Sequence, residues 1–236
     1  MKWYRVTVLG IAAALIAGCA AKPAAPAARP TPEQILQVSE SGFLEDYSLL
    51  RPGKVGQASL AYINPDADFA SYDKMLFERV TIWRGSQLDE VPREDLERLA
   101  NYLYDAIFTK LERDYEMVEE RGPGVVRFSL ALTEVKESNP EMHVYVSDVA
   151  NEAPGAERQD PTVGTREFVG GATVEAELAD AQTGEVLGAA VDSRLGGSPA
   201  TEGADSWSEV REVFDFWAER ISQRLRELRG GSEKSG

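Results

Sequence analysis

The chain has 236 residues, which is room for about one domain. Its 40 acidic and 25 basic side chains give a net charge of −15, which argues against a nucleic-acid surface, since phosphate contacts need Lys and Arg. It holds one cysteine and one histidine, so an internal disulfide is excluded and metal or triad chemistry has few residues to draw on.

The first residues carry an address. Lys2 and Arg5 precede an apolar run from Val6 to Ile16, and Leu15-Ile16-Ala17-Gly18 leads into Cys19. This is the order of a secretory signal, with a cationic start, an apolar stretch and small residues before the cut. A cysteine directly after the small pair makes the site a lipobox. Residues 1–18 are expected to be removed and Cys19 to become the lipidated first residue, diacylated on sulfur. Removal of Lys2 and Arg5 with no acid moves the net charge from −15 to −17. Attachment to the membrane then depends on the acyl chains, because anionic headgroups repel such a chain. Ala20 after the cysteine, in place of an inner-membrane retention Asp, favours the outer membrane. The apolar run is too short to cross a bilayer, which takes roughly 20 residues.

Residues 19–38 read as a Pro/Ala-rich tether, with Thr31-Pro32-Glu33-Gln34 as the start of a short helix. From Ser41 to Lys74 neither period is evident, and Gly42, Pro52, Gly53 and Pro65 punctuate aromatics that must be covered, so a wrapping lead-in is expected. Lys74 to Trp83 is rich in β-branched and aromatic residues and reads as a strand. Pro92 opens a helix whose stripe is Leu96, Leu99, Ala100, Leu103, Ile107 and Leu111. Tyr115 to Val118 suggests a short strand. Val126, Phe128, Leu130 and Leu132 alternate with polar or small residues as a half-buried strand. Residues 136–168 lack a clear period and read as a long loop. Ala172 to Leu178, the Asp180–Glu185 turn and Val186 to Arg194 form a hairpin. Ser206-Trp207-Ser208-Glu209 matches a capping box ahead of a second helix with Val210, Val213, Phe214, Trp217, Ile221, Leu225 and Leu228 on one face. Residues 230–236 form a tail.

The expected architecture is therefore one α+β domain over residues 39–229. It has a mostly antiparallel sheet of about four to five strands and two main helices packed on one face.

Several stretches resemble a known family: Ser41-Gly42-Phe43-Leu44 with Asp46-Tyr47-Ser48 and Pro52-Gly53; Tyr72-Asp73-Lys74; Glu175 to Leu178 running into Asp180 to Leu187; and Phe214 to Ala218. In this order they resemble the bacterial lipoprotein family of the domain of unknown function 3313, from about residue 38 to 229. The resemblance implies a lipoprotein of Gram-negative bacteria. It supplies no activity and no catalytic residues.

Motifs for chemistry are scarce. There is no HExxH, GxSxG, GxGxxG or P-loop; Gly53-Lys54 runs into Val55. His143 has Ser147 and Asp148 near it in sequence, but a surface histidine is the simpler reading. Asn64, Asp66 and Asp68 alternate like a calcium loop, yet Phe69 and Met75 stand where Gly and Glu belong, so a turn capped by Asx hydrogen bonds is expected. Trp207, Phe214 and Trp217 read as core. Glu119-Glu120 and Glu175 with Glu177 read as solvated carboxylates. No catalytic residue, metal ligand or cofactor is assigned.

The function expected is that of a lipid-anchored lipoprotein on the periplasmic face of the outer membrane. It is non-enzymatic and acts by contacts with an envelope protein in assembly or maintenance. The alternative is a binding module for a small or cell-wall ligand, in a pocket between the helices and the lead-in; a hydrolase is the least supported reading.

Overall fold

Two long helices and a mixed sheet carry the chain, as a computed structural model describes for residues 40–54, 57–83, 88–138, 169–196 and 205–230. Expectations for residues 1–39, including Cys19 and the tether, for most of the 136–168 loop, including His143, Ser147 and Asp148, and for residues 231–236 lie outside the described residues. All described residues belong to one unit, Thr31–Gly236.

The strands are β1 Arg51–Pro52, β2 Leu60–Ile63, β3 Lys74–Phe77, β4 Thr81–Ile82, β5 Glu116–Met117, β6 Val125–Lys136, β7 Gly171–Asp180 and β8 Val186–Leu195. They join in the order β1-β2-β8-β7-β6-β3-β5, and β4 also pairs with β6. The helices are α1 Arg93–Leu111 and α2 Ser208–Leu228.

The α+β class holds, but the expected sheet is corrected in size and in direction. Among the described residues it has eight strands. β1, β2, β8, β7 and β6 are antiparallel neighbours, whereas β3, β4 and β5 add parallel pairs. The cause is α1. A helix of 19 residues runs about 28 Å, so it returns the chain to the end of the sheet where β3 began. A strand entered there runs parallel to β3. Lys74 to Trp83 is also two strands, because the register on β6 slips by one residue between Phe77↔Phe128 and Thr81↔Ala131.

Helix periodicity and strand alternation meet in one core. The α1 stripe Leu96, Leu99, Ala100, Leu103, Ile107 and Leu111 is buried as expected. Its leucines and Ile107 pack in one cluster with Met75, Phe77, Phe128, Leu130 and Leu132 from the sheet and Val213, Phe214 and Trp217 from α2. α1 and α2 are also joined by Lys110 Nζ to Glu219 Oε2 at 2.6 Å and by the Tyr102 hydroxyl to Asp215.

The opposite face of the sheet is covered by the lead-in. Leu44 and Leu50, with half-buried Phe43 and Tyr47, pack on Ala189 and Val191 of β8 and Leu60 and Tyr62 of β2. This corrects the reading of Glu175 and Glu177 as solvated. Glu175 is fully buried; it accepts the Tyr47 hydroxyl at 2.5 Å and the Ser41 backbone N–H at 3.1 Å. Glu177 is half-buried and pairs with Arg127 at 2.8 Å. Alternation identified the face of the sheet, but the aperiodic lead-in decides whether that face meets water.

The capping box is corrected as well. α2 starts at Ser208, and no side chain caps it. Glu209 turns away to accept the Gly170 N–H at 2.5 Å. A Cβ at Gly170 or Gly196 would sit 3.2 or 2.6 Å from Glu209 Cβ, so both glycines make room for that side chain. Asp205 stands in for the box, accepting the Trp207 N–H at 2.9 Å and pairing with Arg211.

Candidate functional site

Side-chain size along three strands opens a cleft beneath α2. Cross-strand partners point to the same side of a sheet. Leu130, Ala176, Ala190 and Ala61 are partners in one row across β6, β7, β8 and β2. The next row is Phe128, Leu178, Gly188 and Ile63. Both rows fall from large side chains at β6, which the helices cover, to small ones at β8. Three alanines and a glycine leave α2 standing above a low floor. The space between them is about 390 Å³.

The wall is the lower face of α2, with Phe216, Trp217, Ile221, Leu225 and Leu228. Ile63 and Leu178 add apolar floor, and Gln57 and Ala58 of the β1–β2 connection close one side. A Cβ at Gly188 would meet the Tyr62 carbonyl and Ile63 Cδ1 at 3.2 Å, so glycine keeps β2 close to β8 at the floor.

Asp192 locks the end of the cleft. It is 8% exposed, so its carboxylate requires partners. Oδ2 accepts the Trp217 indole N–H at 2.7 Å, and Oδ1 accepts both the backbone N–H and the hydroxyl of Ser59, at 2.9 and 2.8 Å. One carboxylate thereby ties β8 to α2 and to the β1–β2 connection. Its neighbour Arg194 lays its guanidinium 3.8 Å over the Phe216 ring. Arg220, Gln223, Arg224 and Glu227 give the lining its polar side. Arg220 donates to Gln223 Oε1 at 2.9 Å, and Arg224 to Glu227 at 3.1 Å. The site therefore has an apolar trough, a rigid polar lock at one end and two arginines one helical turn apart on its wall. It is shaped for binding.

The residues singled out from sequence fall as follows. Asn64 and Asp68 form the expected turns: Asn64 Oδ1 accepts from the Asp66 N–H at 3.0 Å and Asp68 Oδ1 from the Ala70 N–H at 3.2 Å. Among the described residues no group of three or more His, Cys, Asp or Glu side chains is placed to hold a metal ion. Glu119 and Glu120 are exposed. Phe214 is in the core, whereas Trp217 serves the core and the cleft together. The cleft is in part the pocket expected between the helices and the lead-in: Gln57, Ala58, Ala61 and Ile63 of the Ser41–Lys74 lead-in line it opposite α2, while Leu44 and Leu50 cover the other face; its floor of small residues was not read from the sequence. Its sequence signal is Ala61, Ala176, Gly188 and Ala190, small residues where the strand pattern points inward.

No curated protein matches the chain. The family model described as "Protein of unknown function (DUF3313)" matches residues 39–221. Among solved structures, the PelC dodecamer from Paraburkholderia phytofirmans is similar at 12% identity and a TM-score of 0.39, over 69% of this chain and 94% of that one. Protein XCC0632 from Xanthomonas campestris, of family DUF330, is similar at 13% identity and a TM-score of 0.33, over 71% of this chain and 87% of that one. Likeness at this level assigns no function.

Proposed function

The chain belongs to the DUF3313 family, and we propose that this member is a lipid-anchored envelope protein that works by non-covalent binding in the cleft under α2. The anchor is Cys19, supported by the lipobox Leu15-Ile16-Ala17-Gly18-Cys19 and the Pro/Ala-rich tether behind it. Ala20 supports the outer membrane, with the domain on the periplasmic face, and no helix among the described residues is long and apolar enough to cross a membrane. The role is in envelope assembly or maintenance, without covalent chemistry.

The observation that carries the reading is the cleft. Its volume lies within the range of small-molecule sites, about 300–1,000 Å³, and its lining is apolar with a few fixed polar groups. This favours a binding module over a protein-contact surface. A stable protein interface covers about 800 Å² on each partner, whereas Phe216 is the one exposed large hydrophobic side chain among the described residues, at 38% exposure.

The test is complementation of a deletion strain. Ala190→Leu raises the floor of the cleft and is expected to abolish complementation while the protein stays folded and acylated. His143→Ala is expected to complement fully. A folded Ala190→Leu protein that complements like the parent refutes the cleft, and a folded His143→Ala protein that fails points to chemistry instead.

A further inference from the structure

Resting on that reading, we propose that the occupant of the cleft is a single long-chain fatty acid, its alkyl chain in the trough and its carboxylate on Arg220 and Arg224. The trough selects one chain. Gly188 to Asp192 is four residues of strand, about 13 Å, and Phe216 to Leu228 spans about 18 Å of α2. The floor is low where Ala61, Ala176, Gly188 and Ala190 stand, so its width is that of the missing side chains. A flexible alkyl chain fits such a slot, whereas a fused-ring or sugar ligand needs more width or more polar partners. Among the described residues the glutamines of the lining are Gln57 and Gln223, and their Oε1 atoms already accept from the Lys54 N–H and from Arg220. Asp192 is already engaged with Trp217 and Ser59.

Charge selects the head. The chain as a whole is strongly acidic, yet the wall of this cleft presents Arg220 and Arg224 four residues apart on one helix face, where side chains are neighbours. Glu227 is the acidic lining residue on that side, and it is paired with Arg224. A guanidinium has five donors in a fork, so Arg224 retains donors for a carboxylate beside Glu227. An anionic amphiphile satisfies the trough and the arginines together, and a membrane-tethered protein meets such molecules continuously.

The experiment uses the full-length lipoprotein in lipid nanodiscs doped with diazirine-bearing palmitic acid, or with its methyl ester in a parallel arm. After irradiation, adducts are mapped by peptide mass spectrometry. The acid is expected to label residues 187–192 and 216–228, and excess unlabelled palmitate should remove the label. The ester should label several-fold less. Arg220→Gln with Arg224→Gln should bring the acid down to the ester's level and leave the ester unchanged, and Ala190→Leu should remove both. Adducts outside these peptides, labelling unaffected by unlabelled palmitate, or equal labelling by acid and ester would each overturn the proposal. The competition and ester arms use the unmodified chain, so they decide even if a variant fails to fold. A chain that resists labelling while Ala190→Leu still fails to complement would refute the fatty acid alone; an Ala190→Leu chain that complements would refute the cleft reading itself.

Discussion

Trp217 shows how one side chain serves two roles. Its ring is 4% exposed and stacks on Phe214, with centroids 5.9 Å apart, while its N–H is held by Asp192. Trp217→Ala should destabilise the protein by about 3–5 kcal/mol, the range for emptying a large buried aromatic site. Trp217→Phe keeps most of the packing but leaves Asp192 Oδ2 short of a donor, so about 1–3 kcal/mol is expected. Urea denaturation of the two variants separates packing from the hydrogen bond. A Trp217→Phe protein with an unchanged midpoint would mean that the indole N–H contributes nothing, and equal losses in the two variants would mean that the packing adds nothing beyond that bond. Glu175 is the counterpart on the other face. Tyr47→Phe should destabilise by about 1–3 kcal/mol, because a fully buried carboxylate loses the hydroxyl that it accepts. An unchanged urea midpoint would show that the lead-in is held by its apolar side chains alone. Residues of this kind were hidden in the sequence. Glu175 and Glu177 sit in an alternating strand just as solvated carboxylates do, and only the aperiodic Ser41–Leu50 segment, folded back over β7, decides the difference.

The hairpin of β7 and β8 was legible as an element because its cues are local. Asp180 accepts from the Gln182 and Thr183 backbone N–H groups at 2.9 and 2.6 Å, and Gly184 takes φ +79°. α1 was legible for the same reason, its burial repeating every turn. The parallel pairs of β3, β4 and β5 were not, since which strand a returning chain joins is fixed by the crossover through α1 and not by any residue in the strands. The floor of the cleft was missed because alanine in a strand has no signature until its cross-strand partners are known. A distant bond then ties the hairpin turn to the lead-in: the Tyr72 hydroxyl donates to Asp180 Oδ2 at 2.9 Å. Burial, and then this bond, push Tyr72 up to about 12 from its ordinary 10.0. The folded value lies above the unfolded one, so the contribution is whole below about pH 10 and is lost as pH rises toward about 12. Asp180 behaves in the opposite sense. The Thr183 N–H, and with it the Tyr72 hydroxyl, hold its carboxyl below the usual range, so that contribution is lost as pH falls through its lowered value. The difference in urea midpoint between the parent and Tyr72→Phe should therefore be constant from about pH 6 to 9 and close by about pH 12. A gap that persists at high pH would show that the bond is not formed in solution.

At the scale of the molecule, tether and domain divide the work. In the proposed reading, acyl chains on Cys19 would hold an acidic protein against a surface that otherwise repels it, and the domain would offer its cleft there. Cys19→Ser should abolish palmitate labelling and leave the precursor uncut, as followed by metabolic labelling and gel shift; labelling that survives would remove the anchor from the account. A chain trimmed to residues 39–229 should melt cooperatively, since the sheet, both helices and the lead-in all lie inside it. The claim that the cleft is what this domain is for is tested most directly by complementation across Ala190→Val, Ala190→Leu and Ala190→Phe, with the melting temperature of each. An open cleft tolerates added carbon, so Tm should stay within about 4 °C of the parent, equivalent to roughly 1 kcal/mol for a domain of this size. Complementation should fall in step with the volume filled. Complementation that follows Tm, or that is intact in all three variants, would contradict the account.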